Sequence, residues 1–501
     1  MPSEDADGMA LPSSGVERVP GGCLPDWEVA DLPAPPPYTL GGAFRNVIGP
    51  GIVALGIAIG SGEWILGPAL TAQYGGALLW IATVAIVLQS FVNTEVIRYA
   101  LYTGEPIFSG FMRCRPGSRF WAVVYVGMDV AAIWPAWAAM AATALAAAWF
   151  GRMPGVEDRE TVRGFAYLIF LSCLALVMFG GKIYNTIEKA EIFFVVWILG
   201  YLLFIGLFMV PFETWARVAK GFVSFGTLPR STEGVNWVLV GAFASYSGLG
   251  GYSNLMLSNY VRDKGWGMGK LTGAIPSAIG GQTVGLSHVG KVFRPTPENL
   301  GRFREWWRYV RFEQYGIWVC GCFLGMGLPA LMTLQFVPVG QAVDPWAAAA
   351  FQAEGIARIA GRTFWYLTLL CGFWILYSTQ LGLVDAMPRR WTDIFWTGFE
   401  RFRGFDPHRA KWVYYPILLF YVLWGLISLS VAPPMVMIIV AASVGGFQLV
   451  VASVHVWHVN RTKLPVELRP PLWRQAGLLA CAAFYGVWAV IAAMSVLKKI
   501  F

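Results

Sequence analysis

The sequence predicts an all-α integral membrane protein of about eleven transmembrane helices. Composition is the first sign: 56% of the 501 residues are hydrophobic and 13% charged, against about 25% charged in a soluble domain. The second is the recurrence of apolar runs of about 20 residues, the length a bilayer core demands. The third is that two of these runs are interrupted at their centres by glycine and polar residues. A chain tolerates such a break only where its backbone lines a polar cavity.

The runs lie near 46–67, 77–102, 120–150, 163–181, 191–211, 235–260, 315–338, 364–386, 412–431, 435–459 and 476–497. The first broken run is Gly49 to Pro68, which holds Gly60, Ser61, Gly62 and Glu63. A mid-bilayer carboxylate costs roughly 2.5–3.5 kcal/mol on insertion scales and each interior glycine about 1 kcal/mol. The second is Gly241 to Tyr260, where Gly248, Gly250 and Gly251 precede Tyr252, Ser253 and Asn254. Broken segments in corresponding positions of two halves point to a transporter binding site. The third run carries Trp134-Pro135 and is expected to kink there.

Lys and Arg set the orientation. With the amino terminus in the cytoplasm, the inner loops hold more than twice as many as the outer ones. An odd span count then places the carboxyl terminus outside, in a protein of the inner membrane. Residues 1–42 are polar and Pro-rich and read as a disordered cytoplasmic arm. Residues 43–211 form a first group of five helices and 212–459 a second. The second group contains the long basic cytoplasmic loop 261–312, in which 297–311 mixes Trp, Tyr and Arg as an interfacial helix does. Residues 460–501 add a loop and the eleventh helix.

Several functions find no support. Neither phosphate-binding glycine motif is present, and the net charge of +8 follows from loop charges rather than from a nucleic-acid footprint. Seven cysteines are present, with no CxxC pair or metal-ligand spacing. The spans hold no nucleophile–base constellation. The expected partners are the bilayer and a small transported cation or solute, with no resident cofactor and no enzymatic activity. Oligomeric state is not readable.

An ionisable group inside a span is functional by default. On that ground Glu63 is the first substrate or metal ligand expected, with Gly60, Ser61, Gly251, Tyr252, Ser253 and Asn254 around it. Asp129 is a candidate for the proton or ion path. Glu95 and Arg98, three apart on span 2, are expected to pair on one helix face as a structural or gating contact. The plainer readings are these: Trp64 packs, Asp385 is an interfacial charge, and Glu188, Lys189 and Glu191 open span 5. Tyr377 to Gln380 bond between helices, Gln448 is a weaker candidate of that kind, and His455 and His458 are interfacial.

Spans 1 and 2 resemble the Nramp family of proton-coupled divalent-metal transporters. The likeness runs from Gly49-Pro50 through Tyr74-Gly75 and Leu78-Leu79-Trp80 to Arg98 and Thr103-Gly104, and span 6 adds Gly241-Ala242, Asn254-Leu255 and Leu257. It implies a LeuT/APC-type inverted repeat, five helices plus five with one more appended, and symport of a metal ion with protons. It also implies an altered site. The family's Asp-Pro-Gly-Asn falls on Gly60, Ser61, Gly62 and Glu63, and its Met-Pro-His-Asn on Gly251, Tyr252, Ser253 and Asn254. In span 3 Asp129 is kept and Ala132 replaces a Glu. Without the thioether, a hard divalent cation is the expected cargo. The alternative is a small organic amine or amino acid.

Overall fold

The computed structural model describes residues 17–37, 49–178, 183–229, 235–275, 285–340 and 343–500. Within them the eleven expected spans are found. Span 1 is Pro50–Ala58 followed by Gly62–Leu66 and Gly67–Tyr74. Span 2 is Leu79–Thr103. Span 3 is split into Ser118–Val130 and Ala136–Phe150. Spans 4 and 5 are Arg159–Met178 and Ile183–Met209. Span 6 is split into Trp237–Tyr246 and Leu257–Lys264. Span 7 runs through Phe312–Val319 and Cys320–Phe336, and span 8 is Arg362–Gly398. Spans 9, 10 and 11 are Lys411–Ser428, Pro434–Lys463 and Leu472–Ile500. Eight helical stretches are long and apolar enough to cross a membrane, the first of which, Pro50–Thr103, contains spans 1 and 2. Spans 3 and 6 do not qualify by length because each is divided.

The bundle is the all-α, five-plus-five-plus-one arrangement expected. Its centre is the contact of the two broken helices. A Cβ on Gly62 would overlap the Tyr246 carbonyl oxygen, so the backbones of spans 1 and 6 meet directly there. Glycine is the residue that permits this approach.

Four expectations need correction. Residues 17–37 of the arm are ordered, not disordered. Arg18–Val19 pairs antiparallel with Trp27–Val29, which pairs in parallel with Lys291–Val292. Trp27 and Leu32 are buried. The Pro-rich stretch has no hydrogen bonds of its own, and side chains supply them: Arg113 binds the Gly21 and Pro25 carbonyls (both 2.8 Å), Trp306 that of Pro33 (2.8 Å) and Tyr309 that of Pro36 (2.6 Å). The three spaced apolar anchors Leu24, Trp27 and Leu32 are invisible to a composition argument. The rest of residues 1–42 lies outside the described residues.

Second, the helix expected at 297–311 forms, capped by Thr296, but it is not a separate interfacial element. It continues into span 7 as one 40-residue helix. Third, span 8 extends twelve residues beyond its expected end at 386, and its 37 residues make it roughly 55 Å long. Its final turns carry Arg389 and Arg390, which sequence placed in a loop, into a buried layer at the end of the bundle that bears the arm. Fourth, at the opposite end two short helices, Phe212–Val223 and Phe351–Ala360, stand where sequence analysis had only loops.

Candidate functional site

Breaking a helix frees backbone donors and acceptors, and in a membrane each one must find a partner. Side chains of five spans supply them here. The Glu63 carboxylate accepts from Gly60 N (3.3 Å) and Gly248 N (3.1 Å), tying both breaks together. Gln89 of span 2 accepts from Gly250 N (3.1 Å) and donates to the Ser247 carbonyl (3.0 Å). Gln448 of span 10 accepts from Tyr252 N (3.1 Å). On the span 1 side, Ser378 binds the Gly56 carbonyl (3.2 Å) and Thr379 those of Ile57 and Ile59 (3.3 and 3.5 Å). Glu313 of span 7 caps the entry to span 1, accepting from Gly49 N (2.7 Å) and Gly51 N (2.9 Å). The breaks are thus built features with designated side-chain partners.

Between them lies a cavity with about 40 Å³ open to the centres of water molecules, enough for a few waters. The break in span 3 reaches the same place, so Ala132, Ile133, Trp134 and Trp137 line it together with Ser61, Gly62, Tyr246 and residues 248–253. Asp129, Thr379, Arg390, Tyr421 and Gln448 complete the wall.

Its electrostatics are set by one ion pair. Arg390 Nε and Nη2 hold the two Asp129 oxygens at 2.6 and 2.8 Å, and Trp391 Nε1 donates to the same carboxylate at 2.7 Å. Gln448 reaches it at 3.5 Å. The third arginine nitrogen, Nη1, is buried without a partner, and so is the indole nitrogen of Trp137. Two unsatisfied donors therefore belong to residues of one cavity wall. Leaving a buried donor unbonded costs about 1–3 kcal/mol, so a ligand acceptor bound in this cavity would relieve that cost.

The expected site residues divide. Ser61, Gly251, Tyr252, Ser253 and Asp129 line the cavity; Gly60, Glu63 and Asn254 do not. Glu63 is turned toward span 7, where a Cβ on Gly325 would touch its Cγ at 3.6 Å. Asn254 faces span 2, donating to Asn93 (2.8 Å) and Gln89 (3.1 Å). In this conformation Glu63 is a tie between two backbones and stands outside the cavity lining. Gly251, where the resemblance puts a ligand residue, has φ +58° and Gln448 Oε1 2.5 Å from its Cβ position, so a side chain there is strained. Among the described residues no three His, Cys, Asp or Glu side chains gather as a metal ion would require.

Glu95 and Arg98 do pair, at 2.7 Å, but outside the cavity lining. Arg474 and Asn460 also bind Glu95, and Arg98 stacks on Trp307 at 4.1 Å. Asp385 is not an interfacial charge: it is fully buried and bonded to Arg389 and Tyr414. His455 is buried too, bonded to Tyr125 at 2.8 Å. Trp64 packs as expected, its indole on the Ala349 carbonyl. Sequence reasoning missed Arg390, Trp137, Gln89 and Glu313. Proximity of Trp137 to the Trp134-Pro135 kink was the one available signal.

No family model matches the sequence, and no curated protein is similar to it at the level of sequence. Solved structures of a manganese transporter from Eremococcus coleocola are similar in fold. One mutant form superposes with a TM-score of 0.64 at 12% identity, covering 92% of this chain and 88% of that one. A second mutant gives 0.63 at 12%, covering 91% and 88%. The form in complex with an aromatic bis-isothiourea substituted compound gives 0.60 at 13%, covering 92% and 88%. At such identity the likeness is one of fold: a LeuT-like membrane bundle.

Proposed function

We propose that the protein is a secondary transporter whose cargo is a small organic solute carrying a carboxylate or carbonyl group, of the amino-acid class. The fold supports the transporter part. One observation carries the cargo: two unpartnered donors, Arg390 Nη1 and Trp137 Nε1, in the wall of the cavity between the broken helices. A carboxylate is an acceptor suited to either donor, and a guanidinium–carboxylate contact is the stronger kind of hydrogen bond. Trp134, Trp137, Tyr246 and Tyr252 offer flat apolar surface to the rest of the solute.

The divalent-cation reading fits this wall less well. Its one carboxylate, Asp129, is neutralised by Arg390, and a fixed guanidinium repels a dication. Soft or hard, a metal ion needs acceptors, and the unpartnered side-chain groups of this wall are donors. Nramp membership remains a resemblance. In the proposed orientation the ordered arm lies on the cytoplasmic side of the inner membrane.

A thermal-shift panel on purified protein tests the reading, because a ligand specific to the folded state raises its stability. Amino acids and small carboxylates should stabilise the wild type and fail to stabilise Arg390→Gln. Stabilisation by Mg²⁺ or Mn²⁺ alone, retained in Arg390→Gln, would sink the proposal.

A further inference from the structure

The buried carboxylates of the described residues are almost all provided for. Glu63 and Glu313 accept backbone N–H groups. Glu95, Glu105, Asp129, Asp263, Asp385 and Asp393 are paired with arginines. Glu191 of span 5 is different. It is fully buried, and neither of its oxygens has a hydrogen-bond partner.

Its surroundings explain how the carboxyl fits. A Cβ on Gly56 of span 1 would overlap Glu191 Oε2, and one on Gly382 of span 8 would stand 3.7 Å from Oε1. The group is held between two glycines, with the first half of span 1 as one wall. The titratable neighbours are Cys173 of span 4 and Tyr260 of span 6. The charged groups facing this region are committed elsewhere: Arg389 to Asp385 and Asp263, Arg390 to Asp129, Lys264 to Glu188, and Glu313 to the start of span 1. Among the described residues no cation is paired with Glu191. A bare carboxylate away from water and donors gives way to its neutral form.

We propose that Glu191 carries a proton in this conformation and exchanges it when the first half of span 1 withdraws, which makes it the proton-coupling group of the transport cycle. Span 1 is suited to the movement, since Pro50–Ala58 is joined to the rest of the span by a turn at residues 59–60. When Gly56 leaves, water reaches the carboxyl. The acid O–H bond breaks, the proton passes to that water, and the carboxylate remains, now hydrated. Reprotonation favours closure. Span 1 also lines the cavity through Ile57, Ala58 and Ser61, so one rigid element connects the proton site to the cargo site. The coupling role rests on the transporter reading; the protonation does not.

The test needs no transported solute. Infrared spectra of the wild type and Glu191→Gln in lipid nanodiscs report the carbonyl stretch of a protonated carboxyl. The wild type should show a component at neutral pH that the variant lacks. Hydrogen exchange over residues 50–58, corrected for intrinsic rates, then reports closure. Wild-type protection should fall as pH rises, by up to about tenfold per pH unit for a one-proton linkage. In Glu191→Gln, which is neutral and nearly isosteric, protection should stay flat and high. Identical carbonyl bands in the two proteins overturn the proposal. So do equal pH slopes, or protection restored at high pH by Na⁺, which would make the site one for a metal cation. A cargo other than a carboxylate leaves all these readings unchanged, so failure of the cargo proposal is separable from failure of this one.

Discussion

Arg389 and Arg390 are neighbours on span 8 and have opposite surroundings. Arg389 uses all three guanidinium nitrogens: two on Asp385 at 2.8 Å and the third on Asp263. Asp263 in turn binds Arg262, which binds Asp393. Arg390, 100° further round the helix, holds Asp129 with two nitrogens and leaves the third unbonded beside the cavity. The first residue spends its whole guanidinium in a network that ties spans 6, 8 and 9 together, although Arg262 Nη2 in that network is unbonded. The second leaves one nitrogen open on a residue of the cavity wall. Burial and residue type are the same in both; what distinguishes the two side chains is whether the guanidinium is fully bonded and whether it borders the cavity.

The comparison breaks most visibly at Arg389. Arg389→Met should leave Asp385 buried without its cation and Asp263 with Arg262 alone, and breaking a buried pair costs about 3–5 kcal/mol. The expected outcome is a large fall in thermal midpoint and in monodisperse yield on size-exclusion chromatography. A near-normal midpoint would contradict this role for the network. Arg390→Gln is expected to behave differently. Asp129 keeps its Trp391 and Gln448 donors, so the protein should still purify. Solute affinity in calorimetry should drop at least tenfold, about 1.4 kcal/mol, since a hydrogen bond to a charged group contributes about 1.5–3 kcal/mol. Equal damage from the two substitutions would erase the distinction.

Gly62→Ala probes the wall between the breaks. The added methyl meets the Tyr246 carbonyl, and forcing a group into a packed site costs about 1–3 kcal/mol. The two broken helices should separate, with a lowered thermal midpoint and weakened solute binding together. Loss of binding at unchanged stability would show that the contact is looser than described.

The smallest effect is expected at the arm. Burial alone would raise the Glu105 carboxyl, but the Arg113 guanidinium beside it and the Gly290 N–H outweigh burial and hold it below its usual range. A depressed carboxyl contributes stability that is present above its unfolded value and lost as pH falls through the folded one. Arg113 also holds Gly21 and Pro25 and stacks on Trp27 at 4.0 Å. Acidification into the carboxylate range should therefore loosen the arm first, seen as faster limited proteolysis within 17–37 with the spans intact. Glu105→Gln should loosen it at neutral pH. An arm equally protected in both conditions would refute this anchoring.

The two breaks and the kink were legible because each violates the rules of a lipid-embedded helix within a few adjacent residues. Glu63 was legible as exceptional for the same reason, yet its role was not. A carboxylate beside freed backbone can serve a cargo or the backbone itself, and Gly248, 185 positions away, decides which. Arg390 was hidden more thoroughly, because basic residues after an apolar run look like a loop. Only the continuation of span 8 as a helix carries it inward to Asp129.

From sequence alone came the membrane class, the eleven spans, and the positions where two of them break and a third kinks, because hydropathy, glycine and proline act locally. Tertiary structure alone decided which polar groups are spent and which remain free. Glu313 capping span 1, Gln89 and Gln448 holding span 6, Arg389 satisfied, Arg390 open and Glu191 unattended all depend on partners far apart in the chain. Hydrogen-bond satisfaction is a property of neighbours in space, and no local pattern encodes it.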